Sequence, residues 1–567
     1  MPTRLIRMLP HGQLQLVETK GEAQRYAALS YKWGKSQPFQ ATVASMLSLT
    51  SGFHMDDLPD TLKDAAIVTQ KLGLSHFWVD AVCIIQDSEV DKGTEMARMA
   101  AIYENAAVTI ASSRTGGARE SFLKERTKFK ELFNDVSEPR LFAFHYRCRD
   151  GQLGSILLMH KYHPSSISRE PLDGRGWAFQ ERLLSPRMID YRSEQTKWMC
   201  HASEGQPGFT DGWMDSTTGY ADQAFLVRSR EMIHRSSYGL SGRDIRDVRY
   251  QWYQVLALYT SRTLSTKTDR LPAISAVAQR YSEILNSEYL AGLWRSWLGE
   301  ELLWKQERNI PLSVRPETYQ GPSWSWAGIS WDGEGRAPVE IKMLSHSERW
   351  ATISSSDPSI RNLSKVAAQE AFTTGDDAFQ VISVYVQPLI PNAIFGEVKQ
   401  GACLTLRGHL RPARLYTAFR AAMQSTHLSR ALPESTIRRR QQQQSSLSRW
   451  FSNLVHGEPD NFEPLALDAY QDCPKDDYLA RGTLHEFPYW SHMPVFLLRV
   501  GQYYETHCGL ILVRLDSGYY FRVGVFFSSF ARNQTDFPND TDERWQTKKR
   551  EQLAWLASSE PRTVSIL

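Results

Sequence analysis

The sequence predicts an α/β protein: a doubly wound, mostly parallel sheet at the N-terminus, then a helical domain, then a strand-rich C-terminal region. Three observations predict this order. Short apolar runs alternate with amphipathic stretches between residues 26 and 111, and strands that alternate with helices form a parallel sheet covered on both faces. Apolar residues recur at helical spacing from about 243 to 306, and β-branched and aromatic runs return after 322.

The first strand is predicted at residues 26–31, and weak apolar candidates before it indicate an edge strand or hairpin. A helix should begin near residue 60, with Asp60 or Thr61 as its N-cap. Asp64 follows Thr61 at the spacing of a capping box, and Gly73 is the expected end of the helix.

The second strand is predicted at residues 77–79, and it delivers Asp80 to its carboxyl end. The next helix should carry Met96, Met99, Tyr103 and Ala107 on one apolar face. A third strand at 108–111 then closes a unit of alternating strands and helices.

The polar stretch 114–150 is predicted to be a surface excursion with its own strand at 141–146. The alternation then resumes. Further elements are expected as a fourth strand at 156–159, a helix at 174–184, and two final strands at 188–191 and 196–199.

Beyond the first domain, three helices are expected around residues 255–259, 274–281 and 290–297, with Pro272 in the first turn of the second. Strands follow near 381–386, 403–406, 495–498, 509–513 and 519–527, the last two forming a hairpin. The expected domains are 1–215, 216–315 and 316–567. A polar, repetitive insertion at 424–461 is expected to be disordered.

Five ordered blocks resemble the fungal heterokaryon incompatibility (HET) domain: YAALSYKWG (26–34), LPDT (58–61), WVDAVCIIQD (78–87), MAAIY (99–103) and RGWAFQER (175–182). The resemblance continues in DRLPA (269–273), YLAGLW (289–294) and PSWSW (322–326). It implies a role in non-self recognition and in programmed cell death when genetically different fungal cells fuse. Protein partners in that recognition are implied as well.

Composition narrows the remaining classes of function. The net charge is +3, from 66 basic and 63 acidic residues, so no dedicated nucleic-acid surface is expected. The six cysteines contain no C-x-x-C pair, which disfavours a zinc site or any other metal site. Arginines interrupt the apolar N-terminal residues, and no apolar run is long enough to span a bilayer. A soluble cytoplasmic protein is expected.

Ligands of doubly wound sheets bind outside the carboxyl ends of the strands. In this chain those ends carry Lys32 and Trp33, then Asp80 and Cys83, then Ser112 and Ser113. No phosphate-binding glycine motif follows the first strand, so conventional nucleotide sites are not expected. Asp80 is interpreted either as a substrate ligand or as a cap for backbone N–H groups. Cys83 is interpreted either as a nucleophile or as a small buried hydrophobe.

Trp177 and Glu181 lie four residues apart and share one face of a helix. This spacing is similar to that of the tryptophan and catalytic glutamate of Toll/interleukin receptor (TIR) domains, which are flavodoxin-like and of which some hydrolyse NAD. The resemblance implies that Glu181 is catalytic and that NAD is a substrate, with no bound cofactor. Ala178 stands where many TIR domains have cysteine. The alternative is that Glu181 pairs with Arg175, Arg182 or Arg187 and holds its helix to the sheet.

Two hypotheses for function remain open at this stage. The first makes the N-terminal domain an NAD glycohydrolase, because a carboxylate can stabilise the oxocarbenium character that develops as the bond to nicotinamide breaks. The second makes the domain a non-enzymatic module that self-associates and signals through partners.

Overall fold

A computed structural model describes residues 1–125, 141–147, 151–159, 170–193, 196–200, 208–209, 242–306, 318–329, 341–342, 372–373, 379–416, 452–456, 463–471, 493–503, 506–528, 551, 554 and 558–567. The chain forms two compact units. The N-terminal unit contains Met1–Ser265 and Pro272–Leu285, and the C-terminal unit contains Thr266–Leu271 and Asn286–Leu567. The predicted domain boundaries at 215 and 315 stay predictions.

The N-terminal unit is built on a mixed sheet that has nine strands within the described residues, in the order β11-β10-β9-β6-β3-β5-β1-β2-β4. The strands are β1 (Arg4–Met8), β2 (Gln13–Glu18), β3 (Ala27–Ser30), β4 (Phe53–His54), β5 (His76–Trp78), β6 (Val108–Ala111), β9 (Arg187–Tyr191), β10 (Thr196–Cys200) and β11 (Gly208–Phe209). The pairs β3–β5, β3–β6 and β6–β9 are parallel. Counted along the chain, these four parallel strands stand in the order 2-1-3-4, which is the flavodoxin-like order.

Helices join and cover these strands: α1 (Met46–Ser51), α2 (Asp60–Lys71), α3 (Asp80–Cys83), α4 (Glu89–Met96), α5 (Met99–Glu104), α6 (Gly176–Leu184), α7 (Gly242–Thr260) and α8 (Pro272–Leu285). Connections between parallel strands are right-handed, so the reversal of direction after β5 places α2 and α5 on opposite faces. Helix α6 is buried almost all round and contacts α5, α7 and α8. The predicted α/β class is therefore confirmed.

Three predictions of local structure in this unit are wrong. Pro59 is the N-cap of α2, and Thr61 bonds instead to the carbonyl oxygens of Gly117 and Glu120 at 3.2 and 2.6 Å. The single helix expected over 96–107 is two helices, α4 and α5, that break at Ala97. The expected fourth strand of the sheet lies in β8 (Leu153–Met159), which pairs only with β7 (Leu141–Arg147) in a separate hairpin of the described chain.

In the C-terminal unit, the helix predicted first is wrong. The helix expected at 290–297 is a hairpin of β12 (Tyr289–Leu290) and β13 (Leu293–Trp294), followed by a helical turn and the short helix α9 (Leu298–Glu301). The cause is the turn, where Ala291 and Gly292 have φ of 49° and 103°. A Cβ atom on Gly292 would lie 2.6 Å from the Trp326 ring, whose Nε1 donates to the Gly292 carbonyl at 3.0 Å.

The strand-rich character of this unit is confirmed. Its larger sheet has the order β16-β21-β22-β23-β20-β19-β18-β17 within the described residues, and β24 pairs with β18 and β23. The strands of this sheet are β16 (Phe372–Thr373), β17 (Gln380–Tyr385), β18 (Cys403–Tyr416), β19 (Ser452–His456), β20 (Glu463–Gln471), β21 (Met493–Tyr503), β22 (Thr506–Arg514), β23 (Tyr520–Ser528) and β24 (Pro561–Ile566). Strands β14 (Lys305–Gln306) and β15 (Ile341–Lys342) pair with each other in a separate two-stranded sheet. The insertion expected at 424–461 lies outside the described residues except for β19.

Among the described residues, no helix combines the length and the apolar composition needed to cross a membrane.

Candidate functional site

The candidate site lies at the carboxyl ends of β3, β5 and β6. The strand order reverses between β3 and β6, and such a switch point opens a crevice in a doubly wound sheet. Two loops meet beside it, because the Ala118 N–H donates to the Trp33 carbonyl at 3.2 Å. Gly34 has φ of 80°, and a Cβ atom there would lie 2.9 Å from the Gly117 Cα. Only glycine allows the two loops to approach so closely in this conformation.

Glu181 is at the floor of this region, with 2% of its surface exposed. It extends from α6 to the end of β3, where its carboxylate accepts a hydrogen bond from the Ser30 hydroxyl. The Tyr103 hydroxyl donates to the Leu29 carbonyl at 3.1 Å, and as a neighbour of Glu181 it acts to lower the pKa of that carboxyl group.

Asp80 lies nearer to solvent, with 15% of its side chain exposed. Its Oδ2 atom accepts from the Trp33 indole N–H at 2.9 Å, and its Oδ1 atom accepts from the Ala81 N–H at 2.7 Å. The neighbouring Tyr31 hydroxyl acts to lower the pKa of Asp80. The contact with the Ala81 N–H agrees with the interpretation of Asp80 as a cap, and its role as a substrate ligand stays a prediction.

Arg175 interacts electrostatically with both carboxyl groups, those of Asp80 and Glu181. Arg175 precedes α6, donates to the Tyr31 carbonyl, and places its Nη2 atom 3.7 Å from Asp80 Oδ2. Burial lowers the pKa of its guanidinium, but the charges of Glu181 and Asp80 outweigh that effect and raise it. We call Asp80 and Glu181 the acid pair.

Burial raises the pKa of both carboxyl groups of the acid pair, and Arg175 offsets the rise only in part. The negative charge of Asp80 adds to the rise at Glu181. Two carboxylates facing one arginine cannot both ionise without leaving an uncompensated buried charge. The site therefore favours either a proton on one of the acids or a cation bound beside them.

A second group of charges at the end of β9 behaves in the opposite way. Arg182 lies 2.7 Å from Asp190 and 3.3 Å from Asp173, and Arg192 lies 2.6 Å from Asp173 and 3.2 Å from Asp190. We call these four residues the arginine network. Burial alone would raise the pKa values of the two aspartates, but the two arginines lower them. The two arginines thus favour the ionised form of both aspartates, and Arg192 also lies 4.0 Å from Glu170.

The arginine network bears on the alternative interpretation of Glu181, in which this residue pairs with an arginine and holds its helix to the sheet. Of the three arginines considered as its partners, Arg182 is taken by Asp173 and Asp190, and Arg187 donates to the Ala107 carbonyl at 3.1 Å. Of these three arginines, Arg175 is the one whose charge acts to lower the pKa of Glu181.

The other sequence-predicted site residues lie at different depths. Lys32 is exposed, Trp33 and Trp177 are half-buried, and Cys83 is fully buried. Burial raises the pKa of the Cys83 thiol to about 12, so at neutral pH this residue is a thiol rather than a nucleophilic thiolate. The Ser113 hydroxyl donates to Asp190 of the arginine network.

Sequence reasoning missed the roles of Ser30, Tyr31 and Tyr103 and considered Arg175 only as a structural partner. A usable signal was present, since each of the four lies within one of the motif blocks quoted above.

No group of three or more histidine, cysteine, aspartate or glutamate side chains in the described chain could hold a metal ion. A cavity of about 590 Å³ opens at the opposite, amino-terminal end of the sheet, lined by residues that include Arg25, Glu104 and Arg187.

The fold and the site thus define a doubly wound α/β domain in which two acidic side chains, one buried and one partly exposed, lie at the carboxyl ends of the parallel strands. Residues 26–181 match the family model of the heterokaryon incompatibility protein (HET), which suggests a heterokaryon incompatibility function. The matched span begins just before β3 and ends at Glu181, so it contains the acid pair, Arg175 and both tyrosines. No curated protein and no solved structure matches the chain.

Proposed function

We propose that this chain acts in fungal heterokaryon incompatibility, where it takes part in non-self recognition and the programmed cell death that follows. We further propose that its N-terminal unit kills by hydrolysing NAD. The match of residues 26–181 supports the biological role. The TIR-like spacing of Trp177 and Glu181, together with the acid pair, supports the chemistry.

The observation that carries the chemical proposal is the charge imbalance around Arg175. Two buried carboxyl groups face one guanidinium, so a second positive charge would complete the site. The nicotinamide ring of oxidised NAD carries that charge. A buried site that lacks one positive charge should therefore bind the ring. The bound ring should in turn favour the ionised form of both acids of the acid pair.

The same imbalance favours bond cleavage. As the bond between the nicotinamide nitrogen and the ribose C1′ breaks, its electron pair goes to the ring, and the positive charge moves to the sugar. Ionised Glu181 would stabilise this oxocarbenium character. Water then adds to C1′ and loses a proton, and the products are nicotinamide, ADP-ribose and one proton. Asp80 is well placed to accept the proton because it lies nearer to solvent than Glu181.

The test is nicotinamide release from NAD by the purified full-length chain. Glu181→Gln should abolish release because it removes the charge and keeps the shape. Glu104→Gln is the matched control, since Glu104 is an ion-paired glutamate at the other end of the sheet, 2.8 Å from Arg280. A folded wild-type chain that releases no nicotinamide, or a Glu181→Gln variant that releases it normally, would overturn the enzymatic proposal.

The second candidate is a non-enzymatic module that self-associates through the N-terminal unit. Three large apolar side chains favour it: Val43, Leu47 and Val90 are 66%, 80% and 82% exposed. They lie on neighbouring segments, because the Val43 N–H donates to the Asp87 carboxylate at 2.8 Å. This candidate predicts that Leu47→Lys stops cell killing while Glu181→Gln does not. The enzymatic proposal predicts that Glu181→Gln stops it.

A further inference from the structure

The C-terminal sheet has an edge strand with one open side. Strand β17 pairs antiparallel with β18, with Val381 opposite Leu406 and Tyr385 opposite Cys403. The other side of this part of β18 is taken by β24, where Leu404 lies opposite Ile566. Within the described residues, β17 has no second neighbour. Among the described strands, none pairs with its outer backbone N–H and C=O groups.

The sequence of this edge lacks the usual protection against strand pairing. No Asp, Glu, Lys or Arg occurs from Gln380 to Gly396. Natural edge strands are commonly protected by charged side chains or proline, and β17 itself contains neither. A register shift between Val381 and Ser383 is a local irregularity. It leaves the following residues, through Tyr385, extended and paired with β18.

Apolar side chains project from the same edge. Ile382 and Tyr385 of β17 are 51% and 54% exposed. Three more exposed side chains come from the hairpin that follows, residues 387–399: Leu389, Ile390 and Ile394, which are 49% to 60% exposed. We call these five residues the apolar edge.

The hairpin is firmly held. The Lys399 N–H donates to the Gln387 carbonyl at 2.8 Å, and the Leu389 N–H donates to the Glu397 carbonyl at 2.7 Å. At its tip, the Phe395 ring lies 5.4 Å from the Tyr289 ring. The apolar edge is thus displayed on an ordered frame, so a partner would meet a preformed surface.

The exposed area suits a symmetric pair. Five half-exposed apolar side chains leave on the order of 80 to 100 Å² each, so two apolar edges together offer about 800 to 1,000 Å². The paired strand backbones would add to this sum and bring it above the roughly 1,000 Å² that specific interfaces need. Each copy contributes about half of this area, which is the size of the largest apolar patches on monomers, and such patches are often functional.

We propose that the apolar edge is a self-association surface, on which β17 pairs antiparallel with β17 of a second copy of this chain. The absence of charge favours a second copy as the partner, because two uncharged strands do not repel each other. A charged peptide or a nucleic acid would find no opposite charge on this edge. A twofold axis through the strand would set each hairpin against the partner's apolar edge. The surface lies in the C-terminal unit, so the inference does not depend on the acid pair.

The test is the association state of the full-length chain, measured by sedimentation over a range of concentrations. The wild-type chain should form a concentration-dependent dimer. Ile382→Lys should raise the dimer dissociation constant at least about tenfold, because the twofold axis brings two like charges into one apolar interface. Tyr519→Lys is the control: this side chain is 42% exposed in the same unit, at the turn between β22 and β23, and its substitution should leave the dimer intact.

A second readout identifies strand pairing itself. Backbone amides of residues 380–385 should exchange with deuterium more slowly at concentrations where the dimer forms, and Ile382→Lys should remove this protection. A wild-type chain that stays monomeric overturns the proposal. So does a dimer that Ile382→Lys leaves intact, or one whose amides in 380–385 gain no protection.

Discussion

Glu181→Gln separates a catalytic glutamate from a structural one, because the structure predicts different costs for the two roles. The amide is nearly isosteric with the acid, so the buried site gains no cavity. A hydrogen bond to Ser30 remains possible, and Asp80 continues to compensate Arg175. A typical hydrogen bond contributes about 0.5 to 1.5 kcal/mol net. We therefore expect the free energy of unfolding at pH 7 to change by no more than about 1 kcal/mol.

The effect on catalysis should be much larger. Removing one preorganised electrostatic contact from an active site commonly costs a hundredfold to a thousandfold in rate, and Glu181 would be the principal one. Nicotinamide release should fall at least about a hundredfold while urea unfolding curves barely shift. The two measurements use the same purified protein, so a loss of folded material cannot be mistaken for a loss of activity.

Asp190→Asn supplies the comparison. Asp190 is as buried as Glu181, but its carboxylate lies 2.7 Å from Arg182 and 3.2 Å from Arg192. Removing one partner of a buried ion pair costs about 3 to 5 kcal/mol, so this variant should be strongly destabilised. If Glu181→Gln cost as much as Asp190→Asn, Glu181 would be an anchor for Arg175, and the catalytic reasoning would fail.

Three further predictions test the fold and its charges. The raised pKa values of the acid pair mean that the folded state binds protons more tightly than the unfolded state. The free energy of unfolding should therefore decline as pH rises above the usual carboxyl range. Glu181→Gln should flatten that decline, and an unchanged slope would contradict this prediction. The lowered pKa values of the aspartates in the arginine network predict the reverse, a loss of stability as pH falls below their usual value of 3.8, and Asp190→Asn should reduce this loss in acid titrations. Trp78→Ala and Tyr103→Ala should each cost about 3 to 5 kcal/mol in denaturant unfolding; because the two rings meet edge-on at 5.7 Å, the double variant should fall short of additivity by about 0.5 to 1.5 kcal/mol, and strict additivity would argue against a direct ring contact.

The order of the central strands and helices was predictable because β3, β5 and β6 are short apolar runs with their own boundary signals. The run at 26–31 and β3 agree to within two residues, as do 108–111 and β6. The alternation of elements then implies parallel pairing, and the register bears this out, since Ser30 lies opposite Ala111. Periodicity carries information of this kind because it reflects burial on two faces.

Local rules failed where a distant partner decided the outcome. Thr61 and Asp64 have the spacing of a capping box, yet Asp64 accepts from the Ser121 hydroxyl and the Leu123 N–H, both more than 50 residues away. The spacing of Leu290, Leu293 and Trp297 is equally compatible with a helix, but the turn at Gly292 takes precedence. Nothing in a window of a few residues reveals such competitors.

The candidate site was predictable one residue at a time but not as an assembly. Asp80 followed from its place at the end of a strand, and Glu181 followed from its resemblance to a known catalytic residue. That both meet Arg175 depends on the loop before α6 and on the end of β3, which are 144 residues apart in sequence. Only the register of the sheet brings these segments together.

The N-terminal unit is interrupted after Ser265, resumes with Pro272–Leu285 and ends there, because the rest of the chain belongs to the C-terminal unit. Helix α8, which contacts α6, is therefore made long after Glu181, because 104 residues separate position 181 from position 285. At ordinary rates of about 5 to 20 residues per second, a ribosome needs roughly 5 to 20 seconds to cover that distance. Throughout this interval the growing chain holds Glu181 on a helix that lacks one of its packing partners. If the proposed activity requires α6 to be fully packed, it would begin only after synthesis has passed residue 285.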